Sequence, residues 1–250
     1  MTLDPRRAQL WKAMGLGPMY RLRAAQVTVA TPPLAVVDSP PATTVRARLI
    51  SRLVWDELRE EVANCRACRL CETRKQTVFG VGNVNARWML IGEAPGSEED
   101  ERGEPFVGQA GRLLDSMLAS VELTRVGQTP RSVYIANVLK CRPPGNRNPQ
   151  PGEVALCEPF LRRQIELVSP ALIIVMGRFA AQSLLDTDAS IAGLRGKRHR
   201  ITVAGRQIPV VVTYHPAYLL RNLVDKAKSW ADLCLAREID AEVSTAQQAQ

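Results

Sequence analysis

Residues 171–185 read Ala171-Leu-Ile-Ile-Val-Met176, then Gly177, then Arg178-Phe-Ala-Ala-Gln-Ser-Leu-Leu185. Six apolar residues in a row, without polar alternation, suit a strand covered on both faces, as in a parallel sheet. The helical pattern that follows at once suits a crossover helix. Ile208-Pro-Val-Val-Val-Thr213 repeats the apolar run. Working outward, Arg87–Ile91 and Ser132–Val138 supply two more strands. Val54, Leu58 and Val62 mark a helix ending near Asn64. Further helices are expected over Gly108–Val121, with Leu113, Leu114, Met117 and Leu118 inward, over Pro151–Val168 and over Leu223–Ile239. Strands alternating with helices predict an α/β fold, three layers α/β/α deep, around a central four-stranded parallel sheet. Ligands of such sheets bind beyond the carboxyl ends of the strands.

The 250 residues are 46% hydrophobic and 23% charged, ordinary values for a soluble globular chain. No apolar run is long enough to span a bilayer, and the N-terminus lacks the apolar core of a secretory signal. A cytoplasmic protein without membrane contact is expected. The net charge is +8. Residues 1–48 hold seven basic residues against two acidic ones, so they carry most of that excess. They read as a basic N-terminal extension: an amphipathic stretch from Arg7 to Arg23, then a flexible linker with Pro32-Pro33 and Pro40-Pro41. An organellar transit peptide is the weaker reading, because serine is sparse. Residues 49–240 are expected to form the catalytic domain and 241–250 a flexible tail. Basic charge suits a polyanion such as DNA, since each neutralised phosphate releases counterions.

The strand ends carry the unusual residues. The first strand enters Gly92-Glu93-Ala94-Pro95-Gly96, an acidic run Glu98–Glu101, and Pro105-Phe106-Val107-Gly108. The second ends at Asn137, before Lys140-Cys141-Arg142-Pro143-Pro144. The fourth ends before His215-Pro216-Ala217-Tyr218-Leu219-Leu220-Arg221-Asn222. A turn, a core phenylalanine, a helix cap and a satisfied histidine would explain these one at a time. Their convergence on one sheet edge points to a site.

Six cysteines are present. Cys65 and Cys68 form a C-x-x-C pair, with Cys141 and Cys157 far off in sequence. Four thiolates of this spacing suit tetrahedral zinc or an iron–sulfur cluster, and spacing does not choose between them. Cys71 extends the pattern, and Cys234 falls on a helical pattern as a small core residue.

From Cys65 to Asn222, in unbroken order, these motifs resemble the iron–sulfur, family 4 class of uracil-DNA glycosylases. The resemblance implies a monofunctional hydrolase of base-excision repair that cuts the N-glycosidic bond of uracil in DNA. It implies a [4Fe–4S] cluster on Cys65, Cys68, Cys141 and Cys157, with Cys71 a neighbouring free thiol. Hydrolysis needs no electron transfer, so a structural cluster is expected. It places Glu93 and His215 in catalysis and Gly92, Phe106, Asn137 and Glu99 around the base, with Glu99 as a wall against the thymine methyl. Arg142, Leu219 and Arg221 would meet DNA, with Leu219, Leu220 and Tyr218 as wedge candidates. Arg66, Arg69, Arg74 and Arg147 are further phosphate candidates, and His199 reads as DNA-facing charge in a basic turn before a strand. The partner is uracil-containing DNA, and a monomer is expected. Two rivals stand beside this reading: a non-catalytic iron–sulfur DNA-binding module, such as a polymerase accessory, and a glycosylase of broader deaminated-base specificity.

Overall fold

The computed structural model describes residues 42–248 and, before them, Gln9 and Ala13 alone. Contacts divide the chain into units 1–39 and 40–250, and only the second is described. The amphipathic stretch Arg7–Arg23 and the proline-rich linker up to residue 41 otherwise lie outside the described residues. The segment expected to be linker as far as residue 48 ends in a helix, α1 (Ala42–Ile50).

The strands are β1 (Val81–Gly82), β2 (Trp88–Gly92), β3 (Tyr134–Asn137), β4 (Leu172–Met176), β5 (Arg198–Val203) and β6 (Arg206–Thr213). They form one six-stranded sheet in the order β1-β3-β2-β4-β6-β5. The four expected strands are its parallel centre. Two antiparallel edge strands enlarge the predicted four to six. One of them, β1, is two residues long, too short to leave a periodic signature. The other, β5, occupies the region read as a basic turn. Its residues alternate between exposed and half-buried, so its arginines point to solvent while Ile201 packs on the core. Ala204 and Gly205 close the β5–β6 hairpin with φ of 48° and 79°. Positive φ at both central residues is the turn geometry that matches strand twist.

The remaining helices are α2 (Trp55–Ala63), α3 (Ser97–Arg102), α4 (Gln109–Ser120), α5 (Pro151–Val168), α6 (Arg178–Leu185), α7 (Ile191–Leu194), α8 (Pro216–Arg221) and α9 (Lys226–Gln248). Helix α9 runs unbroken through most of the segment expected as a tail. Within the uniformly apolar strands, side chains still alternate between two cores. Met89, Ile91, Ile173, Val175, Val210 and Val212 pack with Leu161 and Ile165 of α5 and Ala180 and Ala181 of α6. Trp88, Leu90, Leu172, Ile174 and Val211 pack on the other face with Leu114 and Leu118 of α4 and Leu233, Ala236 and Ile239 of α9. This gives the three layers. The chain leaves β2 for β3 on one side, and β4 lies on the other. The order therefore reverses between β2 and β4, where ligands of open α/β sheets bind.

Candidate active site

A cleft of about 450 Å³ opens at that reversal. Glu93, Glu99, Phe106, Asn137 and His215 all line it, together with Asn146, Arg147, Asn148, Tyr218 and Arg221. Residues separated by as many as 128 positions in the chain are thus brought to one cavity.

Gly92 ends β2 where nothing larger fits. A Cβ there would overlap the Asn137 Oδ1 and lie 2.7 Å from Phe106 Cζ. Gly92→Ala is therefore expected to push ring and amide apart and lower kcat/KM for the bound base by about 10²-fold, as misplacements of about 1 Å do. Steady-state kinetics beside an unchanged circular dichroism spectrum checks this.

Phe106 is buried and has a φ of 56°, unusual for a bulky residue. Arg125 holds it there, donating from Nη1 to the carbonyls of Pro105 (3.0 Å) and Phe106 (2.9 Å) while Nε meets Asp115. Gly111 lets α4 approach, since a Cβ would run into the Phe106 carbonyl oxygen. Neither Arg125 nor Gly111 carries a sequence signal for this role. The Phe106 ring stacks on His215, with centroids 5.4 Å apart and planes at 27°.

Asn137 closes β3 and is buried. Among the described residues, nothing hydrogen-bonds to its side-chain amide. The amide instead lines the cleft, where its donor and acceptor are open to a ligand.

His215 precedes α8, and its Nδ1 accepts the Ala217 N–H at 3.1 Å. That leaves the proton of a neutral imidazole on Nε2. Burial pulls the pKa down to about 4, while the charge of Glu99 pulls weakly the other way. The ring is therefore a neutral Nε2–H donor at physiological pH.

Glu93 follows Gly92. Burial pushes its pKa up to about 7, and the nearby positive charge of Arg178 partly offsets this. Among the described residues no donor reaches its carboxylate, so it is free to take a water. Folding favours the protonated form, so stability falls as pH rises from the ordinary value of 4.5 to about 7 and stays at that lower level above it. A reaction that needs the carboxylate should lose rate as pH falls through about 7. Glu93→Gln should remove that limb of the pH–rate profile and raise Tm at pH 8 by about 2–4 °C.

Glu99 borders the cleft, but its carboxylate is engaged. Oε2 accepts from the Gly96 N–H at 3.1 Å, and Oε1 from the Val107 N–H at 3.0 Å. Glu99 thereby clasps the segments around Gly96 and Val107 while bordering the cleft. Leu219 departs from expectation: it is 1% exposed and cannot enter DNA without leaving the core. Its place on the i face of α8 turns Leu220 outward instead, at 38% exposure, and the following Leu223 and Val224 are exposed too. Tyr218 is tethered by its hydroxyl, which donates to Asp225 at 2.6 Å. Arg221 is exposed at the rim. Arg142 donates to Asn146 Oδ1 at 2.7 Å, and Arg147 makes a two-pronged pair with Glu153.

Cys65, Cys68, Cys71, Cys141 and Cys157 ring a second, smaller cavity beside Leu70, Leu139 and Phe160. Arg74 Nη1 donates to Cys141 Sγ at 2.9 Å, Arg46 Nη2 to Cys65 Sγ at 3.3 Å, and the Lys140 N–H to Cys157 Sγ at 3.3 Å. Arg74 and Arg46 are thus spent on sulfur rather than left for phosphate. Burial raises the thiols of Cys68 and Cys141, and that of Cys157 to about 12. Arg74 opposes the shift at Cys141. Among the described residues, no three ligating side chains converge on a single ion. Only three residues, Val138, Leu139 and Lys140, separate Asn137 in the cleft from Cys141 in this cavity.

The sequence profile of the uracil DNA glycosylase superfamily matches residues 79–234. A type-4 uracil-DNA glycosylase of Archaeoglobus fulgidus is 46% identical over 169 residues, covering 66% of this chain and 82% of the relative. One of Thermotoga maritima is 44% identical over 164 residues, covering 65% and 81%. A type-5 enzyme of Pyrobaculum aerophilum is 27% identical over 197 residues, covering 67% and 84%. The cleft, the reversal in strand order and these likenesses together establish that the chain belongs to the type-4 class of the uracil-DNA glycosylase superfamily.

Proposed function

We propose that this protein hydrolyses the N-glycosidic bond of uracil in DNA, leaving an abasic site. The observation that carries the reading is the meeting of Glu93, Phe106, Asn137 and His215 in one cleft.

A base must leave the stack to reach such a cleft, at a cost of about a few kcal/mol. Uracil offers O4 as an acceptor and N3–H as a donor. The unpartnered Asn137 amide matches both, NH₂ to O4 and C=O to N3–H. Cytosine reverses both polarities and leaves buried groups unpaired. Phe106 stacks on the ring, a contact worth about 1–3 kcal/mol in nucleic-acid sites. As the bond breaks, electrons move onto the departing uracil, and its O2 gains negative charge. His215 Nε2–H donates to that oxygen, an oxyanion-hole role performed by a neutral ring. The Glu93 carboxylate orients the attacking water, takes its proton and balances the cationic sugar. Leu220, with Leu223 and Val224 beside it, fills the gap left by the base, and Arg221 and Arg142 meet phosphates.

Cys65, Cys68, Cys141 and Cys157 would hold a [4Fe–4S] cluster. Thiols that are half-buried or, at Cys141, buried, with cationic or N–H donors aimed at three of their sulfurs, fit four thiolates, since those donors offset the charge that burial penalises. When bound, the cluster supplies a crosslink between the segment after α2, the loop after β3 and α5. The protein acts as a monomer in the cytoplasm. Among the described residues no helix is long and apolar enough to cross a membrane.

Incubation with a uracil-containing oligonucleotide, followed by alkali, tests the activity. Strand cleavage at the uracil position is expected. Binding without cleavage would instead favour the non-catalytic module. A visible absorption spectrum of the same sample separates iron–sulfur from zinc, which is colourless.

A further inference from the structure

Lys140 is fully buried, yet no carboxylate is among its hydrogen-bond partners. Its Nζ donates to the backbone carbonyl of Asn137 at 2.8 Å and to Gln164 Oε1 at 2.5 Å. Gln164, on α5 and fully buried, turns its own amide the other way. Nε2 donates to the Phe79 carbonyl at 2.9 Å and to Tyr134 Oη at 3.2 Å. A polar strut therefore runs from the helix layer to the end of β3.

The strut stands where the sheet stops supplying partners. Pairing of β1 with β3 ends at Val81 with Ile135 and Gly82 with Tyr134. Asn137 lies beyond it, and its carbonyl has Lys140 in place of a strand neighbour. On the other side, Val138 N–H donates to the Gly92 carbonyl at 3.0 Å, so the peptide after Asn137 is held from both directions. Fixing that peptide fixes the Cα–Cβ vector of Asn137, and the close approach of Oδ1 to Gly92 then limits how its amide can rotate. Gly92 shows how little freedom remains, for even a methyl group there would overlap Asn137 Oδ1. An ammonium suits the task. It donates to two acceptors at once, where a neutral apolar side chain would leave the Asn137 carbonyl and Gln164 Oε1 buried without donors.

We propose that Lys140, seated on Gln164, is a positioning residue for base discrimination: by holding the Asn137 carbonyl it sets the angle at which the Asn137 amide meets a pyrimidine. The inference rests on the assignment of Asn137 to the base. Its consequence is selective. A tilted amide weakens the matched pair with uracil and relaxes the mismatch with cytosine. General loosening would lower both rates together.

The test compares excision of uracil and cytosine from matched oligonucleotides by Lys140→Met, Gln164→Leu, Gln164→Glu and Asn137→Asp proteins, each checked for folding by circular dichroism and for iron by absorption. Lys140→Met is expected to lower kcat/KM for uracil about 10- to 100-fold and to shrink the uracil-to-cytosine ratio at least tenfold. Gln164→Leu should shrink it in the same direction. Gln164→Glu keeps the acceptor for Lys140 and should preserve the ratio. If Lys140→Met does not fold, the contrast between the two Gln164 variants decides. An unchanged ratio in the Lys140 and Gln164→Leu proteins, with a changed ratio in Asn137→Asp, overturns the strut alone. An unchanged ratio in Asn137→Asp overturns the assignment of Asn137, and the strut with it.

Discussion

Asn137→Asp is expected to reduce kcat/KM for uracil by at least about 10³-fold while leaving the fold intact. The substitution keeps shape and volume, so the close packing of Oδ1 against Gly92 survives. What changes is polarity. The NH₂ that would donate to uracil O4 becomes an oxygen, and two acceptors face each other in a cleft shielded from water. A site built to hydrogen-bond its substrate rejects a mismatched partner by about 10⁴–10⁵, and part of that range is the expected loss. The same oxygen accepts from the N4 amine of cytosine, so discrimination between the two bases should collapse. Excision measured on paired uracil and cytosine oligonucleotides reads both effects.

The second large effect belongs to His215. His215→Ala removes one donor to the developing oxyanion, which typically costs about 10²–10³ in kcat. It also removes the Nδ1 acceptor that caps α8 and the ring that stacks on Phe106. Loss of a cap costs about 1 kcal/mol of stability, too little to unfold the protein, so a fall of that size in kcat would report chemistry. The protonation state sharpens the test. With a pKa near 4, the ring is already neutral across the working range. Wild-type activity should therefore show no loss near pH 6.5 that disappears with His215. The limb near pH 7 belongs to Glu93, and it should persist in whatever activity His215→Ala retains. An imidazolium donor would give the opposite result, with activity falling as pH rises through its pKa.

The central strands were legible because burial on both faces leaves an uninterrupted apolar run, which few other environments permit. Glu93, Asn137 and His215 were legible as a set because each lies at or just beyond a strand end, and parallel strands send their carboxyl ends to one edge; Phe106 lies further on, in the loop between α3 and α4. The edge strands were not legible. Strand β5 exposes its arginines to solvent, so it reads as a charged turn, and Ala204 adopts a positive φ with no residue type to announce it. Two details were not legible: what engages the Glu99 carboxylate on α3, and that Leu219 on α8 faces the core. Spacing cannot show that a carboxylate is taken up by the N–H groups of Gly96 and Val107. Nor can it show which of two adjacent leucines on a six-residue helix faces inward. Arg125 and Lys140 act on backbone carbonyls of site residues. Such contacts depend on tertiary approach and leave no pattern in the chain.

Where a uracil lies in the cleft decides most directly whether Asn137 and His215 recognise it. A crystal structure with duplex DNA carrying 2′-fluoro-deoxyuridine, whose glycosidic bond resists cleavage, would show it. The base should be extrahelical, flipped out of the duplex stack and lying on Phe106, with the Asn137 amide against O4 and N3 and His215 Nε2 against O2. A uracil still paired in the duplex, or bound away from Asn137 and His215, would contradict the assignment.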